Sequence, residues 1–497
     1  MHRIVAGIMM ALANNSDVEP FGPFAFCAGF TVASAAVRSP DRRGSVMEVQ
    51  TELARNFLGS VLQPGAPTFD EVRRIHNGLV DRRPAVIARC RGIADIVDAV
   101  LYAQATGLEI CIRGGGHNVA GRAVVDNGLM IDLSLMKGVH VNAAVRTAVV
   151  EGGVTWRELN RETQLHGLAT TGGVIGSTGV AGLTLGGGLG WLMPKYGMAL
   201  DNLISVDLVL ADGSVVTASA DANPDLFWAL RGGGGNFGVA ASFEFRLHSV
   251  GPVVFGGIVA FPFREARQVL RGFRDLAENA SDDLMLVAAL TTAPDGSGTP
   301  IVAIVSCHIG SPEDAEIVGR KIRSFGTVAV DALGPIPYVD LNGMLDAGFP
   351  SGAFNYWKST FLPRLDDDAV EALVIAYERC PVPTSSILLE GFHGSASRVP
   401  VESTSFALRD IGFNTLVLGQ WMDKASADRT TAWARASFDA LEPFAGKRRY
   451  ANYLGADEDA GAAALAAYGQ NLARLRQLKT RYDPNNIFHH NLNIPPA

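Results

Sequence analysis

The apolar run at residues 108–112 ends in Arg113-Gly-Gly-Gly-His-Asn118, and no other stretch narrows what this chain can fold into as much. A strand that runs into three glycines makes a turn whose backbone N–H groups carry no Cβ to hold a ligand away. Successive N–H groups in such a turn form a concave site for phosphate oxygens. Gly114, Gly115 and Gly116, flanked by Arg113 and Asn118, are therefore expected to cradle a phosphate-bearing group. His117 would offer a nitrogen nucleophile beside it.

Two more glycine clusters follow, at residues 170–190 (TTGGVIGSTGVAGLTLGGGLG) and 231–238 (RGGGGNFG). Glycine is a routine turn residue, but three clusters, each beside an apolar run, are hard to explain as separate turns. Gly176, Ser177, Thr178, Gly179 and Gly182 are expected cofactor contacts from the first part of the second cluster. Gly186, Gly187, Gly188 and Gly190 are expected from its end, and Asn236 and Gly238 from the third.

Three competing readings fail on their mechanics. Gly233-x-Gly235-x-x-Gly238 has the spacing of a dinucleotide fingerprint, but a helical segment (225–230) precedes it and a strand (239–247) follows. The fingerprint needs a helix N-terminus behind the pyrophosphate. A nucleophile elbow needs Gly two residues before its serine, where this chain has Ile175. His489-His490, without further ligand spacing, is too sparse for a metal, and none is expected. A net charge of −8 with no long basic run argues against a nucleic-acid partner. The five cysteines, Cys27, Cys90, Cys111, Cys307 and Cys380, are scattered without a CxxC pair and read as buried thiols.

Patterning predicts strands at 85–89, 108–112, 129–133 and 147–151, with a helix at 93–105 completing a β-α-β unit that ends at the RGGGH loop. Residues 155–166 read as a helix in which Thr155 and Glu158 form a capping box. Residues 204–210 and 215–218 flank the hairpin signal Ala211-Asp-Gly213. From residue 253 short strands (256–261, 283–292, 299–307, 387–394, 415–421) alternate with helices (264–279, 312–324), which suggests an antiparallel sheet backed by helices. A last helix is expected at 462–479, stopped by Asp483-Pro484. The apolar runs at 4–13 and 24–36 are loosely signal-like but too short to span a membrane. They are read as an N-terminal extension before Met47, which favours a cytoplasmic chain and leaves secretion open if residues 1–36 act as a signal.

Five segments, 113–118, 179–191, 201–213 (DNLISVDLVLADG), 225–238 (DLFWALRGGGGNFG) and 482–494 (YDPNNIFHHNLNI), occur in the order found in a known family. The chain resembles the FAD-linked oxidoreductases of the vanillyl-alcohol-oxidase (PCMH-type) fold, within them the berberine-bridge-enzyme-like group. The resemblance implies an α+β fold: a two-subdomain FAD-binding part (51–250), a substrate domain (251–449) and a segment (450–497) returning to the FAD part. It implies FAD attached covalently through His117. Ile175 stands where many relatives carry a second, cysteinyl attachment, so a single linkage is implied. Thr178 occupies a position tied to oxygen access and leans towards an oxidase. Asn491 and Asn493, in the last segment, are implied cofactor contacts.

Lys447-Arg-Arg-Tyr-Ala-Asn-Tyr-Leu454 resembles the family's Tyr-x-Asn-Tyr segment, which makes Tyr453 the candidate base and Tyr450 its support. A tyrosine base, with a free pKa near 10, needs nearby positive charge, for which Lys447, Arg448 and Arg449 are the sequence candidates. Tyr356-Trp-Lys358 and Glu390-Gly-Phe-His393 are candidates for the substrate side. The implied reaction is oxidation of a CH–OH or CH–N group of a small molecule, with O2 as acceptor giving H2O2. A quinone or protein acceptor is the alternative, and a flavin-binding protein without turnover a second. Oligomeric state is not legible.

Overall fold

The structure, a computed structural model, describes Leu53 and residues 57–497. The signal-like runs of the N-terminus lie outside the described residues. Near the start of the described chain, a four-stranded sheet holds β1 (Ser60–Leu62), β2 (Val86–Arg89), β3 (Ile110–Arg113) and β4 (Leu129–Asp132). The order is β1-β2-β4-β3, with β4 parallel to both neighbours. The helix Ile93–Thr106 crosses from β2 to β3 as its apolar period required, and ends on Gly107 in the left-handed region (φ 71°). The β-α-β unit thus forms with β4 inserted between its strands. The buried carboxylate of Asp132 at the end of β4 takes a two-point ion pair from Arg113 (2.6 and 2.9 Å), and Arg89 adds a third bond (3.1 Å).

An antiparallel five-stranded sheet follows: β5 (Val139–Asn142), β6 (Thr147–Glu151), β7 (Leu203–Val209), β8 (Val215–Ser219) and β9 (Val239–Arg246), in the order β5-β6-β9-β7-β8. The Ala211-Asp-Gly213 turn joins β7 to β8, with Gly213 at φ 81°. The expected capping box starts the helix Trp156–Gln164, where the Thr155 backbone N–H donates to Glu158 (2.8 Å).

The third sheet has eight strands. β10 (Val253–Pro262), β11 (Leu284–Thr292), β12 (Pro300–His308), β13 (Val330–Asp331), β14 (Gly334–Pro337), β15 (Phe354–Leu362), β16 (Ser386–Phe392) and β17 (Gly412–Trp421) run antiparallel. The order is β13-β10-β12-β11-β16-β17-β15, with β14 also on β10. One face is covered by helices, including Ala266–Ala277, Asp367–Glu378 and Ala427–Leu441, through Phe273, Leu373 and Trp433. The last two helices and the full length of β15 have no counterpart in the sequence reading. Residues 367–378 bury nearly all their apolar positions between neighbours, which blurs the one-sided period of a surface helix.

The expected C-terminal helix is two helices, Ala460–Tyr468 and Leu472–Tyr482. They break at Gly469, at φ 51°, where a Cβ would collide with the guanidinium of Arg448. The second helix docks on Pro224–Leu230, and Tyr482 Oη donates to Asp225 (2.8 Å). The fully buried Lys479 then fastens the tail, donating to Asp483 (2.7 Å) and to the carbonyls of Asn236 (2.6 Å) and Phe488 (2.9 Å). Among the described residues no helix is long and apolar enough to cross a membrane.

Candidate active site

A cavity of about 870 Å³ collects residues from all three glycine clusters, from one face of the eight-stranded sheet, and from segments 450–453 and 488–492. It is near the upper end of ordinary ligand sites, about 300–1,000 Å³. Of the expected contacts, Gly114, Gly115, Gly116, His117 and Asn118 line it. So do Thr178, Gly179, Gly182, Gly186, Asn236, Gly238 and Asn491. Arg113, Gly176, Ser177, Gly187, Gly188, Gly190 and Asn493 do not.

The glycines divide into two kinds. Gly182 and Gly235 have nothing within 4 Å of where a Cβ would stand, and at Gly234 (φ 68°) the one neighbour, Asn236 Nδ2, is at 3.9 Å. All three face the cavity, so backbone is the contact surface there. Several others let chain pass chain. A Cβ on Gly115 would collide with the backbone of Gly179, and one on Gly190 with Gly172. Gly187, at φ 139°, would press one against Tyr450 Cε2 at 2.8 Å. Gly187, Gly188 and Gly190, expected as cofactor contacts, lie outside the lining, and a Cβ on each would meet protein atoms. Arg113 is spent on Asp132 and on the carbonyls of Val72 and Arg74, which set the loop's course. Gly176 donates its N–H to Asp346 (2.6 Å), away from the cavity lining. Asn236 lies at the wall, yet its side chain is used up on Gly233, Leu492 and Ile494 and so clips the tail in place.

His117 is held on both ring nitrogens: Nε2 lies 2.9 Å from Ser177 Oγ and Nδ1 3.4 Å from Thr178 Oγ1. His76 stacks on it with centroids 3.9 Å apart. Burial, aided by His76, lowers its pKa to about 3, so the imidazole is neutral and keeps a nucleophilic lone pair. Ser177, outside the lining, thus acts on the site through His117. No cysteine of the described residues lines the cavity, and Ile175 does.

Tyr450 and Tyr453 meet edge to face, 4.9 Å between centroids. Tyr450 Oη accepts from the backbone N–H of Gly188 (3.0 Å) and from Asn452 Nδ2 (2.9 Å), while burial pushes its pKa up to about 12. Tyr453 Oη donates to Glu390 Oε1 (3.1 Å), whose other oxygen accepts from Asn414 Nδ2 (2.6 Å). Burial raises Glu390 to about 7 against these two bonds. Burial, then the Glu390 charge, holds Tyr453 well above the usual phenol value. The cationic support expected from Lys447, Arg448 and Arg449 is not seen: Arg449 pairs with Glu458 (3.2 Å), and Arg448 lies against Gly469. A carboxylate occupies the place where a cation was anticipated.

Of the other substrate-side candidates, Trp357 lines the cavity. His393, just past the end of β16, does not line the cavity and is bonded to the Leu284 carbonyl (3.1 Å). Tyr356 and Lys358 are committed to Asp457 (2.5 and 3.0 Å). Sequence reasoning missed Arg122 and His76. Arg122 lines the cavity, and its buried Nη1 has no partner within the protein. Neither residue sits in a glycine cluster, and only distance in space marks them.

Residues 84–219 match the family described as FAD binding domain, and residues 449–495 the family described as berberine and berberine like. An FAD-linked oxidoreductase of Dictyostelium discoideum is 31% identical over 456 residues, 90% of this chain and 97% of that protein. The (R)-6-hydroxynicotine oxidase of Paenarthrobacter nicotinovorans is 31% identical over 455 residues, 89% and 97%. Among solved structures, 6-hydroxy-D-nicotine oxidase from Arthrobacter nicotinovorans superposes with a TM-score of 0.81 at 30% identity, covering 89% of this chain and 98% of that one. Xylooligosaccharide oxidase from Myceliophthora thermophila shares the fold, with a TM-score of 0.79 at 22% identity over 91% of this chain and all (100%) of that one. The cavity suits FAD on its own evidence: open glycine backbone, the unpartnered Arg122 cation for phosphate oxygens, and unpaired Asn491 Oδ1 as an acceptor. The chain belongs to the berberine-bridge-like FAD-linked oxidoreductases, and its cofactor is FAD.

Proposed function

We propose that this enzyme is an oxidase that removes a hydride from a CH–OH or CH–N carbon of a small molecule, with Glu390 taking the accompanying proton through Tyr453. The Tyr453–Glu390 hydrogen bond at the cavity wall carries this reading. FAD supplies the two-electron chemistry when bound, accepting the hydride and passing the electrons to O2 to give H2O2.

The residues divide the remaining tasks. Tyr453 stays protonated at neutral pH and becomes a base only by handing its own proton to Glu390 as it takes the substrate's. Glu390, near pH 7, is poised to receive it. Asn414 holds the carboxylate in register, and Tyr450, fixed by Gly188 and Asn452, supports Tyr453 from the side. His117, neutral and clamped by Ser177 and His76, is the point of covalent attachment to the flavin. Arg122 and the open backbone at Gly182, Gly234 and Gly235 hold the phosphate-bearing portion. We read residues 51–250 and 450–497 as the cofactor-holding part and 251–449 as the substrate-holding part.

The oxidase relatives support O2 as acceptor over a quinone or protein. Anaerobic stopped-flow tests both halves: substrate must bleach the flavin, and O2 must restore it with one H2O2 per turnover. A flavin that stays reduced in O2 but is reoxidised by a quinone establishes the dehydrogenase instead. A flavin that no reductant substrate bleaches leaves a binding protein. Acid-precipitated protein should be yellow, with a single flavinylated peptide containing His117, and colourless for His117→Ala.

A further inference from the structure

The eight-stranded sheet turns one face to the helices and the other to the cavity, and the cavity face is graded along its strands. On β16, Glu390, Leu388 and Ser386 point the same way by strand alternation, and all three line the cavity. Their neighbours across the sheet are fixed by register. Glu390 pairs with Val287 and Asn414, and Leu388 with Ala289 and Leu416. Ala289 in turn faces Ala303, and Val287 faces Val305. The floor therefore has an ionisable end at Glu390 and a middle that is wholly aliphatic. Its far end is mixed, with Thr291 and Ser386 beside Ile301 and Leu418, and Gln420 follows one alternation beyond Leu418. Gln420 is 4% exposed, donates Nε2 to the Gly348 carbonyl (2.9 Å), and leaves Oε1 buried without a partner. Four residues of strand separate Glu390 from Ser386, about 13 Å, and Gln420, six residues along β17 from the Asn414 opposite Glu390, is about 20 Å away, at about 3.3 Å per residue.

We infer that the substrate is an elongated, largely apolar molecule, aromatic or polycyclic, with its reacting CH–OH or CH–NH at Glu390 and a hydrogen-bond donor at its far end. A carbohydrate does not fit this floor. Each ring hydroxyl laid over Leu388, Leu416 or Ala303 would lose water and gain no partner. A flat apolar body exchanges water for aliphatic contact instead, and a distal O–H or N–H meets Ser386 or, in a longer molecule, the free oxygen of Gln420. The inference rests on the oxidase reading for the orientation of the reacting end.

The test uses the flavin-loaded full chain under argon, titrated with 4′-hydroxybiphenyl-4-methanol and, separately, with xylobiose. Binding is read from the shift of the flavin absorption band and reduction from its bleaching. The biphenyl should bind at least tenfold tighter than xylobiose, and Leu416→Gln should reverse or erase that preference. Leu388→Gln serves as the second variant should the first lose its flavin. Tighter binding of xylobiose, equal binding, or no shift with either ligand overturns the inference. A biphenyl that binds tightly yet never bleaches the flavin leaves the floor as described and sinks the oxidase reading. Bleaching by xylobiose alone does the opposite.

Discussion

On the cofactor side of the cavity the backbone makes the surface; on the sheet side the side chains do. The cofactor wall comes from loops in which a handful of glycines decide how close chain can come to ligand or to chain. Its chemistry sits in short contiguous motifs. The sheet wall is made of single residues drawn from several strands, two apart in sequence and brought together only by register. The first wall tolerates almost no added atoms, since Gly182 or Gly235 with a side chain would fill ligand space. The second should tolerate exchange of one aliphatic residue for another and answer mainly in which substrate it accepts. A conserved cofactor and a changeable substrate call for this division of materials.

The largest effect that could break the contrast is at Gly182. Gly182→Val should give folded but flavin-poor protein, because the added atoms meet no protein group and project into the cavity. Gly187→Val, by contrast, should impair folding itself, since it presses on Tyr450 and strains a positive φ. Full flavin occupancy in Gly182→Val, measured by absorbance ratio, would remove the basis for a backbone wall.

Next comes the proton path where the two walls meet. Glu390→Gln should keep its flavin and slow reduction by substrate on the order of a thousandfold, and Tyr453→Phe on the order of a hundredfold, within the range of lost general-base catalysis. Wild-type rates of flavin reduction in Glu390→Gln would move the base elsewhere. The pH profile sharpens the same point. The deprotonated carboxylate is the active form, so the rate of reduction should rise with pH, about tenfold per unit below the pKa of about 7, and level above it. The rise should vanish in Glu390→Gln. The smallest effect is expected at His76. His76→Ala removes only the stacking partner of His117, worth about 0.5–1.5 kcal/mol, so covalent attachment should slow by no more than about tenfold. Complete loss of attachment would show that His76 does more than hold the ring.

Legibility followed the same division. The RGGGH turn, the β-α-β unit around it, the Thr155 capping box and the Ala211-Asp-Gly213 hairpin were readable because each is specified by residues within a few positions. Which glycines face ligand was not, since Gly182 and Gly190 look alike in sequence and differ only in what lies opposite. Arg113 read as a phosphate ligand because its partner, Asp132, is 19 residues away at the end of another strand. Glu390 could be placed on a strand face, but its bond to Tyr453 spans 63 residues and needed the fold. The arginines beside Tyr450 misled for the opposite reason, since neighbours in sequence turned to other partners.

The tail held by Lys479 sets an order of events in the life of the chain. Asn491 and Leu492 complete a cavity wall most of whose other residues lie far earlier in the chain. Until Lys479 has its Phe488 partner, the cavity is open on that side. Flavin capture is therefore a step that follows docking of the tail. A chain stopped at Asp483 should emerge with most of its sheets and remain colourless, however much FAD surrounds it.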